Sequence, residues 1–144
     1  MRGLLAFVAA CFAIVSMPAS AQQPKPLFAA DDPIHIVIQG PLPTLIHNRS
    51  DQVVQGTLTD PNGQALPIAL SVRGITRRST DVCDFPPLRV EFTSPPPATS
   101  LFKGQKKLKL VTPCKTSTPF QQKVLLDYSV YTMYNLLTPH SFRA

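Results

Sequence analysis

Tryptophan is absent from this chain of 144 residues, glycine occurs only six times, and just 15% of the residues carry a charge. So low a charge fraction excludes a coiled coil, and a mean hydropathy near zero excludes a multi-pass membrane protein. A hydrophobic fraction of 44% argues against wholesale disorder. Proline, in contrast, is abundant with sixteen residues, which favours short strands and stiff connections over a helical bundle.

The sequence also lacks the short motifs that identify a common chemistry. It contains no phosphate-binding Walker loop, no G-x-S-x-G nucleophile turn, no H-E-x-x-H zinc motif, no dinucleotide fingerprint and no internal repeat. No set of residues resembles a Ser/His/Asp or Cys/His catalytic group, and no carboxylate cluster suggests a magnesium site. The residues alone therefore predict no catalytic residue, no metal site and no cofactor.

The N-terminus has the three parts of a secretory signal peptide. Arg2 supplies the basic region, residues 3–18 are almost entirely apolar, and residues 19–21 (Ala-Ser-Ala) form a small-residue cleavage site. The apolar run is too short to cross a bilayer comfortably, since about 20 residues are needed. We therefore predict that residues 1–21 are a signal peptide, that the protein is exported to the periplasm or the extracellular space, and that cleavage leaves no transmembrane segment. Acylation at Cys11 is the alternative.

Two cysteines, Cys83 and Cys114, remain after cleavage, an even number for an oxidising compartment. A disulfide between them would stabilise the fold by roughly 3 to 4 kcal/mol. The alternative is a metal site held by the two cysteines. None of the histidines stands at ligand spacing from either cysteine, and two lone thiolates make a poor zinc site. The disulfide is the favoured interpretation.

The mature chain is predicted to hold a flexible lead at 22–33 and a single α+β domain at 34–144. Period-two alternation and β-branched residues predict five strands, at residues 34–39, 53–59, 66–74, 88–92 and 106–112. Asp60-Pro61-Asn62-Gly63 predicts a hairpin turn, and 44–51 is read as a connecting segment.

One long helix is predicted near the C-terminus, from about Pro119 to Leu137, with Thr118 as N-cap and Gln121 at the capping-box position. Its apolar sector is broad, so we expect it to pack on more than one side. The last residues, 140–144, read as the start of a further strand. The fold class is α+β, with a mainly antiparallel sheet of about five strands packed on this one C-terminal helix.

Basic residues cluster around the third and fifth predicted strands. If these strands are neighbours, one side of the sheet carries seven cations, which suits phosphate or an acidic polymer. The alternative is a solvated sheet face whose lysines protect an edge. Nucleic acid is not expected as a partner, because no aromatic residues interleave with the cations. The candidate anion-binding residues are Arg73, Arg77, Arg78, Lys106, Lys107 and Lys109, with Lys103 beside them.

Asp127 stands out among the eight acidic residues because it lies mid-helix within an apolar stretch. If it is buried, it needs a cationic partner, which Lys107, Lys109 or Arg73 can supply. The alternative places Asp127 on the solvent edge of the helix.

Several short motifs follow one another over residues 68–142, about half of the chain. They are Ser71-Val72-Arg73-Gly74, Arg77-Arg78, Phe85 to Phe92, Lys106 to Val111, and the helix containing Tyr131 and Tyr134. In this order they resemble the N-terminal half of the spore-coat protein H kinase-like family.

The resemblance implies a fold like the N-terminal lobe of a kinase. It also implies ATP with magnesium as cofactor, and Lys107 or Lys109 paired with Asp127 to hold nucleotide phosphates. Because the family's catalytic acids lie in a C-terminal half, it implies that this chain is an incomplete part of a larger domain and inactive alone.

Two hypotheses for the function follow. The first is an exported, kinase-like fragment whose basic face binds phosphate or nucleotide. The second is a non-catalytic envelope or secreted module that binds an acidic polymer or a partner protein. Under both, this chain by itself is not expected to be an enzyme.

Overall fold

A computed structural model describes residues 25–144. Five strands form one antiparallel sheet in which the strand order equals the chain order. The α+β class, the five-stranded antiparallel sheet and the C-terminal helix are therefore confirmed, whereas the predicted signal peptide lies outside the described residues. The strands are β1 (Val37–Gln39), β2 (Val54–Thr59), β3 (Ala65–Val72), β4 (Leu88–Phe92) and β5 (Lys107–Leu110), and the helices are α1 (Leu42–Asn48) and α2 (Thr118–Leu137).

One face of the sheet carries the hydrophobic core. Because side chains alternate along a strand, β3 and β4 each present every second residue to this face, and the register places Leu70 opposite Val90. α1 covers the face with Leu45, and the β4–β5 connection covers it with Phe102, whose ring centroid lies 5.4 Å from that of Phe92. The buried residues of β3 and β4 are Leu66, Ile68, Leu70, Val72, Leu88, Val90 and Phe92.

The predicted turn between β2 and β3 is present and is organised by a buried carboxylate. Asp60 is only 4% exposed, and its Oδ1 accepts hydrogen bonds from the backbone N–H groups of Asn62 and Gln64, each at 2.9 Å. Its Oδ2 accepts a hydrogen bond from Ser100 Oγ at 3.3 Å. Gly63 adopts a φ of +80°, a conformation that glycine reaches without steric cost. Asp60 thus connects the hairpin to the β4–β5 loop.

Cys83 and Cys114 form a disulfide, as predicted, with their Cα atoms 4.6 Å apart. Cys83 lies in the connection between β3 and β4, and Cys114 follows β5. The backbone carbonyl of Cys114 accepts a hydrogen bond from the N–H of Asp84 at 2.8 Å. The bond therefore holds the β3–β4 connection against the chain that leaves the far edge of the sheet.

Three local predictions are wrong. Most of the segment predicted as a connection, residues 44–48, belongs to the helix α1, which tolerates Pro43 because a missing N–H costs nothing in the first turn. The N-cap of α2 is Ser117 rather than Thr118, and no side chain forms a capping hydrogen bond, so Gln121 completes no capping box. Residues 140–144 form no strand.

α2 differs from its prediction in packing. No residue of α2 is buried in the described part of the chain, so the expected burial on more than one side is wrong. A half-buried stripe that includes Phe120, Val124 and Tyr128 runs along one side of the helix. Tyr128 Oη donates a hydrogen bond to Asp31 Oδ1 at 3.2 Å. None of the helices in residues 25–144 is long and apolar enough to cross a membrane.

Candidate functional site

The face of the sheet opposite the core carries a group of cations. Arg89 on β4 lies directly opposite Lys109 on β5, and Glu91 lies opposite Lys107 in the next pair. Side chains of directly opposite residues have Cβ atoms about 4.5 to 5.5 Å apart. On its other side Arg89 pairs with Ser71 of β3, a polar residue without charge. The alternating burial of β4 and β5 leaves all four of these charged residues exposed.

The Arg89–Lys109 pair is unusual because like charges directly opposite one another destabilise a sheet. Within residues 25–144 the one ion pair within 4 Å joins Arg78 to Asp51, so neither Arg89 nor Lys109 forms one. Lys109 Nζ lies 4.9 Å from the ring centroid of Phe142, a cation–π contact that leaves its charge uncancelled. The sheet therefore tolerates a local excess of positive charge at this point.

Arg73 extends this cationic group beyond the end of β3. Its backbone N–H donates to the carbonyl of Pro87 at 2.9 Å, which continues the β3–β4 ladder by one residue. Ser71 lies opposite Arg89, and residues two apart on a strand share a face. The half-exposed Arg73 therefore lies on the same side of the sheet as Arg89. We call the set Arg73, Arg89, Lys107 and Lys109 the basic face.

Arg77 and Arg78, also predicted to join this group, instead form intramolecular bonds. Arg77 Nη2 donates to the carbonyl of Thr112 at 2.8 Å. Arg78 Nη2 donates to the carbonyl of Val72 at 3.2 Å, and its Nη1 lies 2.7 Å from Asp51 Oδ1. Both guanidinium groups therefore stabilise the β3–β4 connection.

The predicted lysines divide between the two sides of β5. Lys106 directly precedes Lys107 on the chain, so alternation directs it away from the basic face, although it is exposed. Lys103 lies exposed in the β4–β5 loop, outside the sheet. Of the six predicted anion-binding residues, the sheet geometry brings together Arg73, Lys107 and Lys109, and it adds Arg89.

Sequence reasoning missed the structural role of Arg49, the residue that ends α1. Arg49 has a φ of +49°, and its Nε donates to the carbonyl of Ile46 at 2.9 Å. Its Nη1 donates to the carbonyls of Arg78 at 3.1 Å and Cys83 at 2.7 Å, and its Nη2 donates to the carbonyl of Asp84 at 2.6 Å. One guanidinium group thus joins the end of α1 to the β3–β4 connection. An arginine directly after a helix would have suggested this role, but α1 itself was not predicted from the sequence.

Asp127 lies on the solvent side of α2, which agrees with the second of the two alternatives. It is exposed, and within residues 25–144 it forms no ion pair with Lys107, Lys109 or Arg73. The lysine–aspartate pair implied by the family resemblance is therefore not formed in the described structure.

A shallow, open groove of about 330 Å³ lies beside the disulfide, lined mainly by apolar atoms of residues such as Phe85, Pro113 and Gln121. It contains none of the four residues of the basic face. Within the described residues, no three side chains of His, Cys, Asp or Glu come together in a way that could hold a metal ion.

Comparison of the chain with models of protein families, with curated proteins and with solved structures found no match. The resemblance to the spore-coat protein H kinase-like family therefore stays a prediction.

Proposed function

We propose that this chain is a non-catalytic, exported module that binds an acidic polymer through its basic face. The observation that carries the proposal is the directly opposed pair of Arg89 and Lys109, neither of which forms an ion pair within residues 25–144. An anion bound between them would turn an unfavourable repulsion into two charge-assisted hydrogen bonds. The disulfide and the predicted signal peptide support an exported location.

The spacing of the cations favours a polymer over a single small anion. Lys107 and Lys109 are two residues apart on one strand, which separates them by about 6.8 Å, while Arg89 lies one strand away at about 4.8 Å. Arg73 adds a further cation past the end of β3. A chain with repeating phosphate or carboxylate groups can contact several of these positions at once, and its affinity then exceeds that of any single contact because the linked groups bind together.

Phosphoryl transfer is less well supported by the same face. Metal-assisted transfer needs acidic ligands that hold magnesium against the phosphates. Among the described strand residues, Glu91 is the one acid on the basic face, and it lies opposite Lys107. We expect this chain to transfer no label from radiolabelled ATP above background. Transfer abolished by Lys109→Ala or Asp127→Ala would contradict the proposal and would make the chain an enzyme by itself.

The binding experiment uses the full chain, expressed with its predicted leader so that the disulfide can form, and two probes, polyphosphate and poly-glutamate. We expect Arg89→Gln combined with Lys109→Gln to weaken polyphosphate binding about tenfold, or roughly 1.4 kcal/mol. The slope of log affinity against log salt should fall by roughly 1 to 2, because fewer counterions are released.

Lys106→Gln is the matched control, since it removes the neighbouring charge on the other side of β5 and should change affinity less than twofold. Equal losses for Lys106→Gln and the double variant would show that net charge alone causes binding, and would contradict the proposal. If the lysines only protect the sheet edge, neither polymer will bind, and Lys107→Gln with Lys109→Gln will increase aggregation instead.

A further inference from the structure

α2 exposes a large apolar surface in the described part of the chain. Between residues 125 and 137, seven large apolar side chains are 54–85% exposed. Contiguous patches of this kind on soluble proteins mark interaction sites. The most exposed members are Leu125, Leu126, Val130, Met133, Tyr134, Leu136 and Leu137.

Four of these residues follow the spacing of helix-to-helix packing. Leu126, Val130, Met133 and Leu137 are separated by four, three and four residues, which is the spacing of core positions in paired helices. They are 63%, 60%, 65% and 80% exposed. We call these four residues the apolar seam.

The seam lies on the side of α2 opposite the half-buried stripe. At 100° per residue, Tyr128 and Asn135 lie across the helix from the seam, and both contact other parts of the chain. Tyr128 donates to Asp31, and Asn135 is hydrogen-bonded to Ser141. The seam therefore faces away from the side of α2 that Tyr128 joins to Asp31.

We propose that the apolar seam binds the seam of a second copy of this chain, so that two α2 helices pack side by side in a homodimer. The 4-3-4 spacing indicates a helix as the partner, because each seam residue can then insert between residues of an identical helix. This proposal rests on α2 and is independent of the proposed function of the basic face.

The exposed area of the seam reaches the lower end of what a stable dimer needs. Taking about 100 Å² for an aliphatic and 200 Å² for an aromatic side chain, the seam with Tyr134 offers on the order of 400 Å² of apolar surface per chain. Interfaces of this kind are roughly 65% apolar, so the total is about 600 Å² per partner, or about 1,200 Å² for the pair, where the range of stable interfaces begins.

The charge at the N-terminal end of the seam favours an antiparallel pair. Lys123 occupies the next position of the same spacing, three residues before Leu126. In a parallel pair, Lys123 would face its own copy, and like charges would repel. In an antiparallel pair centred between Val130 and Met133, Lys123 lies near the C-terminal end of the partner helix, where the helix dipole favours a cation. Such a pair has two-fold symmetry and closes on itself.

The test measures the mass of the full disulfide-bonded chain by analytical ultracentrifugation from about 1 to 100 µM. We expect a monomer–dimer equilibrium. Leu126→Glu should raise the dimer dissociation constant at least tenfold, because each chain would bury an unpaired carboxylate. Leu125→Glu is the matched control: Leu125 is adjacent and 66% exposed but lies about 100° away from Leu126 around the helix, so it should change the constant less than threefold.

A second measurement keeps the test decisive if a variant folds poorly. Chains with Val130→Cys and chains with Met133→Cys are mixed and oxidised, and an antiparallel pair should give mainly the mixed cross-link. A wild-type chain that stays monomeric at 100 µM, or equal effects of Leu125→Glu and Leu126→Glu, would overturn the proposal. Binding of the monomer to anionic lipid vesicles through the seam would overturn it too, by assigning the surface to a membrane.

Discussion

The sheet region and the C-terminal helix are built in opposite ways. From α1 to Cys114 the chain buries a continuous apolar core and adds the disulfide, the buried carboxylate of Asp60 and the hydrogen bonds of Arg49. α2 contains many large apolar residues, yet none of its residues is buried among the described ones. Apolar content therefore does not decide where the stability of this chain resides. Contacts at long sequence distance do, and they concentrate in the sheet region.

Among the covalent and polar links of the sheet region, the largest effect is expected when the disulfide is removed. Cys83→Ser with Cys114→Ser should lower the free energy of unfolding by about 3 kcal/mol, because the bond links residues 31 apart in the sequence and restricts the unfolded chain. Urea unfolding of the oxidised wild type and the double variant measures the difference. Wild type in a reducing agent is the control and should match the variant. A loss below about 1 kcal/mol would mean that the hydrogen bonds of Arg49 suffice to hold the β3–β4 connection.

A smaller loss is expected from Arg49→Gln. The variant leaves the carbonyls of Ile46, Cys83 and Asp84 without their donor, which should lower the free energy of unfolding by about 2 kcal/mol. Arg89→Gln removes the same charge from an exposed position and should cost less than about 0.5 kcal/mol. Thermal and urea unfolding of both variants make the comparison, and equal losses would contradict the structural role of Arg49.

The smallest effect is expected on α2. Leu125→Ala should change the free energy of unfolding by less than about 0.5 kcal/mol, since Leu125 is 66% exposed and lies off the seam. Leu70→Ala in the core should cost about 2 to 5 kcal/mol, because Leu70 is 0% exposed and its loss leaves a cavity. A comparable cost at Leu125 would show that α2 is packed against the sheet in solution.

The strands were predictable wherever one face of the sheet is buried and the other is exposed to solvent. β4 has the predicted bounds because Leu88, Val90 and Phe92 alternate with the charged Arg89 and Glu91. α1 was not predictable from the same rules, since it has only seven residues, with Pro41 at its N-cap and Pro43 in its first turn. The breadth of the apolar sector of α2 indicated burial, but a sequence pattern does not say which surface covers a helix, and that is where the prediction was wrong.

The candidate site was predicted only where its residues follow from alternation along one strand. Alternation along β5 correctly placed Lys107 and Lys109 together, because this rule depends on neighbouring residues only. The positions of Arg77 and Arg78 depend on Thr112 and Asp51, which approach from distant parts of the chain. Arg89 was overlooked because its importance comes from the register between β4 and β5, and register is a property of the sheet rather than of either strand alone.

The identity of strand order and chain order has a consequence for how the molecule assembles. Each strand pairs with the strand that precedes it in the chain, so no pairing skips a strand. The entropy lost in closing each connection is therefore modest. A sheet of this kind can add one strand after another while the chain emerges N-terminus first from a ribosome or a translocation channel. Cys114 follows the last strand, so the disulfide cannot form before all five strands have emerged.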